Sequence, residues 1–400
     1  MSSTSRSVTI EDLNADEAEL YLGGTILVCI FSVVGVIGNL HVLLVYVFRM
    51  KQSNHRVFII CLAVLDLITC TVGMPFVIVN FQKPFTFYYT SICKILSFYN
   101  FFICISSAGV LIIISVDRYR KICVPLGKQM SQKMAKTMCF VAMGISLLFS
   151  WPALVLYGST PIKTPEPGII GQECNILDEV KDTFYPVYFN GALLVVSFSS
   201  FVVLAVLYSI IGKAIWNHHT FSSKGDDTQT EVTQVKMSDV KPASKAEATF
   251  HSGSSDSNEF NNLTEDETEK STDTVVPETK PQVDSRRRSS SVGQATKYKQ
   301  QSALQRARSK FDRTKRTTLM LLWITIIFFL SYVPYLVLRI VSYMNPDWYT
   351  SMSYAGKVAY NTILWCVFIN NMANCIIYGF CDQRFRQEMK RGYSNLCRRH

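Results

Sequence analysis

Residues 20–48 read LYLGGTILVCIFSVVGVIGNLHVLLVYVF, a run without one Asp, Glu, Lys or Arg. About 20 apolar residues suffice for a helix to cross a bilayer, since each advances about 1.5 Å and the hydrocarbon core is about 30 Å thick. Comparable runs recur outward from it at roughly 57–81, 92–116, 138–158, 186–211, 317–344 and 358–381. Seven spans predict an all-α membrane protein, a seven-transmembrane helix bundle. Composition agrees: 18% of residues are charged and 48% hydrophobic, against about 25% charged in soluble domains. That balance excludes an ordinary soluble enzyme and a basic nucleic-acid binder. The stretch from Met1 to Glu19 is polar and acidic, so the first span is expected to act as its own insertion signal.

The net charge of +10 is unevenly placed. Basic residues crowd the short connections after spans one and three: Arg49, Lys51 and Arg56, then Arg118, Arg120, Lys121, Lys128, Lys133 and Lys136. Short basic connections stay in the cytoplasm, which predicts an outer N-terminus and a cytoplasmic C-terminus. The chain then divides into an outer N-terminus (1–19), spans one to five (20–216), a long cytoplasmic loop (217–313), spans six and seven (314–381) and a tail with a short amphipathic helix (382–400). The first two thirds of the loop is rich in Ser, Thr, Asp and Glu, which predicts disorder. Its end, Ser285–Arg316, holds 11 basic residues and one acid, Asp312, and is expected to extend helix six. No internal repeat is visible, which weighs against transporters built from duplicated halves.

An ionisable residue inside a span costs on the order of 3 kcal/mol to insert, so it marks a candidate site. Asp66 is the clear case. Ser107, Asn370, Asn371 and Asn374 lie at matching depth, as does Asn39, and this oxygen-rich set suits a small hard cation such as sodium. The alternative is a packing network whose polar groups satisfy one another.

Span three ends in Asp117-Arg118-Tyr119, followed six residues later by Pro125-Leu126. With Gly38-Asn39 in span one, Leu62-Ala63 before Asp66 in span two, Phe328-x-x-Ser331-Tyr332-x-Pro334 in span six and Asn374-Cys375-Ile376-Ile377-Tyr378 then Phe385 in span seven, the chain resembles the rhodopsin-like (class A) G-protein-coupled receptors, on their peptide-receptor branch. The resemblance covers all seven spans. It implies a plasma-membrane receptor in which Asp117 holds Arg118 at rest and releases it toward a heterotrimeric G protein. Tyr119 completes that triplet, Tyr208 and Tyr378 would swing toward Arg118, and Tyr332 and Pro334 would let helix six move outward. Asp66, Ser107, Asn370, Asn371 and Asn374 would form an allosteric sodium pocket, with no other cofactor required. Arrestin and receptor kinases would be further partners. Cys93 and Cys174 are the two cysteines placed outside, and the resemblance pairs them in a disulfide.

Five positions depart from the family pattern: Ser200 and Cys375 replace Pro, Tyr332 replaces Trp, Thr314 stands where an acid often locks Arg118, and span four lacks a Trp ten residues before Pro152. Asn100 stands where amine receptors carry a carboxylate, and Phe368 where opsins carry a Lys, which excludes both ligand classes. The outer segments are acidic and suit a cationic ligand. A neuropeptide is the expected ligand, in a pocket walled by Asn100, Phe101, Tyr185, Phe189, Tyr335, Arg339 and Tyr360. Arg339 could meet a peptide terminus or serve as an interfacial anchor. The alternatives are a lipid or other small non-amine ligand, a decoy receptor that does not couple, and a cation-coupled transporter using Asp66. Ser289, Ser290 and Ser309 follow clustered Arg and read as phosphorylation sites or as part of a basic linker on membrane lipids. Cys397 is a palmitoylation candidate.

Overall fold

The computed structural model describes residues 8–237, 285–345 and 347–397, with backbone alone over 218–237, 285–301 and a few other positions. Seven helices long and apolar enough to cross a membrane run Leu22–Phe48, Asn54–Gln82, Thr90–Cys123, Gln132–Leu156, Phe184–Asn217, Phe311–Ser342 and Tyr354–Cys381. Several start where a serine can cap exposed backbone N–H groups: Ser53 accepts from Arg56, Ser131 from Met134 and Ser353 from Gly356. Large apolar side chains such as Phe140, Leu148, Phe198 and Leu330 remain exposed around the bundle, as a lipid solvent permits and water does not.

Two of these helices carry turns of other types. The second passes through a π turn at Thr69–Gly73, and the seventh through a 3₁₀ turn at Trp365–Phe368. Replacing Pro by Cys375 leaves Ile369–Cys381 continuous, and the Cys375 thiol donates to the Met372 carbonyl. Ser200 likewise sits in unbroken helix, its hydroxyl donating to Val196 O. Pro334 lies inside the sixth span's helix.

The fifth and sixth helices exceed their spans, reaching Met237 and beginning at Ser285. The loop's end, expected to extend helix six, is helical from Ser285, and its start, expected to be disordered, is helical to Met237; elongating an existing helix avoids the costly nucleation step. The rest of that loop lies outside the described residues.

The larger apolar core lies at the Arg118 end and includes Tyr46, Phe58, Leu62, Leu111, Ile114, Leu204, Ile211, Leu321, Ile324 and Tyr378. A smaller one joins the first, second and seventh spans through Val28, Phe31, Cys70, Met74, Phe81 and Phe368. The first span approaches its neighbours closely because of two glycines. A Cβ on Gly38 would stand 2.1 Å from Cys375 Sγ, and one on Gly35 would stand 2.3 Å from Cys70 Sγ. Gly38→Ala should destabilise the protein by about 1–3 kcal/mol through overpacking, although alanine normally favours a helix. Thermal unfolding of the purified protein should show a lower midpoint, partly recovered when Cys375→Ala is added.

At the opposite end, β1 (Tyr157–Lys163) and β2 (Ile170–Ile176) form an antiparallel hairpin with Ser159 opposite Cys174. The Cys93–Cys174 disulfide ties β2 to the start of the third span. Gly171 lets the hairpin meet the loop after span two: a Cβ there would lie 2.9 Å from Phe85 O. The loop and β2 exchange bonds, Phe87 N–H to Gln172 O and Gln172 N–H to Phe85 O. An N-terminal helix, Ile10–Leu20, opens on a reciprocal cap between Thr9 and Asp12. Its buried Asn14 accepts from Phe85 N–H at 2.9 Å and donates to Thr86 Oγ1 at 3.2 Å. Tyr21, just beyond it, stacks on Phe81 at 5.1 Å.

Candidate functional site: two polar centres and an aromatic vestibule

Nearest the last turn of the third span, Asp117 is 1% exposed and Arg118 3%. Asp117 Oδ2 is ion-paired with Arg118 and accepts from Lys121 Nζ at 2.8 Å. Its Oδ1 accepts from Asn54 Nδ2 at 3.0 Å, and the same Nδ2 donates to Met130 O at 2.7 Å. A carboxylate so enclosed must be paired, because leaving one partner alone costs several kcal/mol. Asn54 completes the shell and was not legible beforehand: it stands at the second span's first turn, far from Asp117 in sequence. Tyr208 and Tyr378 are buried in the same core, with Tyr119 packed against it. Between spans five and six the Tyr332 ring lies 4.6 Å from Phe328, which lies 5.8 Å from Phe201.

Midway through the bundle, Asp66 is fully buried. Asn371 Nδ2 donates to its Oδ1 at 2.9 Å and Asn374 Nδ2 to its Oδ2 at 2.7 Å. Asn39 Nδ2 donates to Asn371 O at 2.9 Å. Asn370 is buried beside them without a bond to Asp66. Among the described residues, Asn39 Oδ1 and the Ser106 and Ser107 hydroxyls are buried without a hydrogen-bond partner. One carboxylate with unpaired neutral oxygens is a donor set fitting a small hard cation. Among the described residues no three His, Cys, Asp or Glu side chains gather into a metal cluster.

At the hairpin end, the expected pocket residues fall into two groups. Phe101 meets Phe189 edge-on at 5.3 Å and Tyr157 of β1 at 5.8 Å. Arg339 Cζ lies 5.9 Å from the Tyr335 ring centre, and Tyr360 Oη is 2.9 Å from Ser342 Oγ. Tyr157 belongs to both groups. Burial pushes its hydroxyl up to about 12, with the Arg339 charge opposing. Among the described residues no carboxylate comes within 4 Å of Arg339. Asn100 is exposed within its helix. Tyr185 is 69% exposed and makes no ring contact with the others among the described residues.

Tyr360 also meets Trp348 and Tyr349 at 5.8 and 5.2 Å. Tyr349 carries Lys357 over its ring at 5.5 Å and accepts from Asn361 Nδ2 at 3.1 Å. Burial raises the Glu17 carboxyl above its ordinary value, with Lys357 opposing, so the N-terminal helix reaches this cluster. Trp348, Tyr349 and Glu17 were missed from the sequence because they stand outside the apolar runs, and Tyr157 because it closes one; tertiary contacts place all four. Ser309 is exposed; the side chains of Ser289, Ser290 and Cys397 lie outside the described residues.

Residues 38–378 match the family model for the seven-transmembrane receptor (rhodopsin family). The chain is 26% identical over 184 residues to the Neuropeptide S receptor of Homo sapiens, covering 45% of this chain and 47% of that protein. It is 26% identical over 218 residues to the Probable G-protein coupled receptor 19 of Rattus norvegicus, covering 53% and 48%. It is 34% identical over 124 residues to the Trace amine-associated receptor 365 of Petromyzon marinus, covering 31% and 32%. The chain thus spans about half the length, or less, of these relatives.

Proposed function

The chain belongs to the rhodopsin family of seven-transmembrane receptors, and from that premise we propose that it carries a peptide signal from outside the cell to a heterotrimeric G protein. It is a multi-pass plasma-membrane receptor and not an enzyme. The hairpin end faces outward and the Arg118 end faces the cytoplasm, as the basic short connections require. Agonist and G protein favour the same conformation, so each raises the other's affinity.

Arg339 carries the peptide assignment. It is an exposed cation that feels the Tyr335, Tyr360 and Tyr157 hydroxyls, with no carboxylate within 4 Å among the described residues, and it therefore suits an acidic group or carboxyl terminus brought by the ligand. Two named relatives at low identity, the Neuropeptide S receptors of human and mouse, bind a peptide by their names. Asn100 offers no charge to an amine. A neuropeptide library screened through a promiscuous G protein should yield an agonist. Arg339→Ala should then lower its potency about 30-fold or more, as losing one partner of a charge pair that the bound ligand buries does, while Arg339→Lys retains part of it. Activation by lipids alone, or an agonist indifferent to Arg339→Ala, would refute the assignment.

Asp66, Asn39 and Ser107 would supply oxygens for sodium, with Asn370, Asn371 and Asn374 alongside. Phosphorylation at Ser289, Ser290 or Ser309 would reduce the positive field beside the G-protein surface. Palmitoylation of Cys397 would anchor the tail, and arrestin and receptor kinases would act on the same face.

A further inference from the structure

Tyr46, His55 and Asp382 meet where the first, second and seventh spans reach the helix Gln383–Cys397, and the receptor function above assigns them no part. Asp382 Oδ1 accepts from the backbone N–H groups of Arg384 at 2.9 Å and Phe385 at 3.3 Å, capping that helix. Its Oδ2 accepts from the Tyr46 hydroxyl at 2.6 Å and stands 3.9 Å from His55 Nε2. The Tyr46 ring lies edge-on to His55 at 6.0 Å, tilted to Tyr378 at 6.1 Å and stacked on Phe385 at 5.9 Å.

The groups facing His55 come from each packed element. Asp382 comes from the junction, Tyr46 from the first span, and Arg118 and Lys121 from the third. Asp117 offsets one of those two cations. Asp382 is the one carboxylate within 4 Å of His55 among the described residues. His55 Nδ1 is buried without a hydrogen-bond partner among the described residues, so Asp382 is the group that favours a proton on the ring, against the Arg118 and Lys121 charges. Burial pushes the Asp382 carboxyl up, but its contacts with His55 and Tyr46 outweigh this and hold it below the ordinary carboxylate value. Its contribution to stability is therefore present above that ordinary value and lost only at lower pH. The acid stays charged between pH 5 and 8, leaving His55 as the member that changes.

We infer that Asp382 is a positioning residue, a latch holding the helix Gln383–Cys397 to the first two spans, and that a proton on His55 tightens it. Neutral, the imidazole adds little at 3.9 Å. Protonated, it becomes a donor in a charge-assisted bond, which is shorter and stronger. The latch is thus closed more firmly at acid pH and loosens as pH rises through the imidazole's midpoint.

Amide hydrogen exchange of Arg384–Met389, in the full chain in phosphatidylcholine nanodiscs and corrected for intrinsic rates, reads the latch. Exchange should be about tenfold slower at pH 5.5 than at pH 8. Asp382→Asn keeps a capping oxygen and loses the charge, so its exchange should be flat with pH, as should that of His55→Gln. Tyr46→Phe keeps the ring and the charge pair, so it should exchange faster yet retain the pH dependence. The imidazole resonance that His55→Gln removes should titrate between pH 5 and 8. Its midpoint should move down by about one unit in Asp382→Asn. A flat wild-type profile, an Asp382→Asn profile like wild type, or a His55 that does not titrate in this range would overturn the latch. Should Asp382→Asn not fold, loss of pH dependence in Tyr46→Phe or its survival in His55→Gln would do so.

Discussion

Replacing Cys93 with serine should leave little folded receptor at the cell surface, and what folds should unfold at a markedly lower temperature. The bond closes a loop of sequence separation 81, and losing a disulfide of this kind typically costs about 2–5 kcal/mol. The damage should concentrate on the hairpin end. Without the bond, β2 keeps its ladder to β1 and its bonds to Phe85 and Phe87 but is no longer tied to the third span. Tyr157 and the hairpin then cease to roof Phe101 and Phe189. Cys174→Ser should match Cys93→Ser, and the double variant should be no worse than either, because both remove one interaction. Surface staining and thermal unfolding check this; additive losses would contradict it.

Asp117→Asn should raise agonist-free nucleotide exchange about tenfold or more and lower thermal stability. The amide can still meet Asn54, yet it leaves the Arg118 and Lys121 cations facing one another without the carboxylate that both share. Breaking a buried pair of this kind costs about 3–5 kcal/mol. The penalty falls on the conformation in which Asp117 holds Arg118, and each 1.4 kcal/mol of bias moves a two-state population tenfold. Exchange on washed membranes containing the variant and a purified G protein measures the effect. Unchanged exchange at equal expression would contradict it.

The spans were legible because a bilayer imposes a minimum apolar length, and hydropathy reads length directly. Asp66 was legible for the same reason, as a charge where none is expected, and its two amide partners lie on the seventh span's neighbouring turns. Asn54 and Asp382 were not. Each is an ordinary polar residue at a helix end, and its role comes from a side chain more than 60 positions away. Asn14 is similar, seated by a loop 71 residues on. Tyr185 was expected in the pocket wall from its place at the start of span five, but helix rotation sets exposure there and the apolar run does not reveal it. The helical extension beyond Asn217 escaped notice because its composition resembles solvated loop, and continuity with a membrane helix outweighs it.

Agonist-free and agonist-stimulated guanine-nucleotide exchange, compared between this chain and its Arg118→Ala variant at matched surface density, tests the central claim most directly. Arg118 is the buried cation held by Asp117, and truncating it should abolish both activities while leaving ligand binding at the hairpin end intact. Exchange that survives Arg118→Ala, or a wild-type chain that drives no exchange with any G-protein class while binding its ligand, would contradict the account.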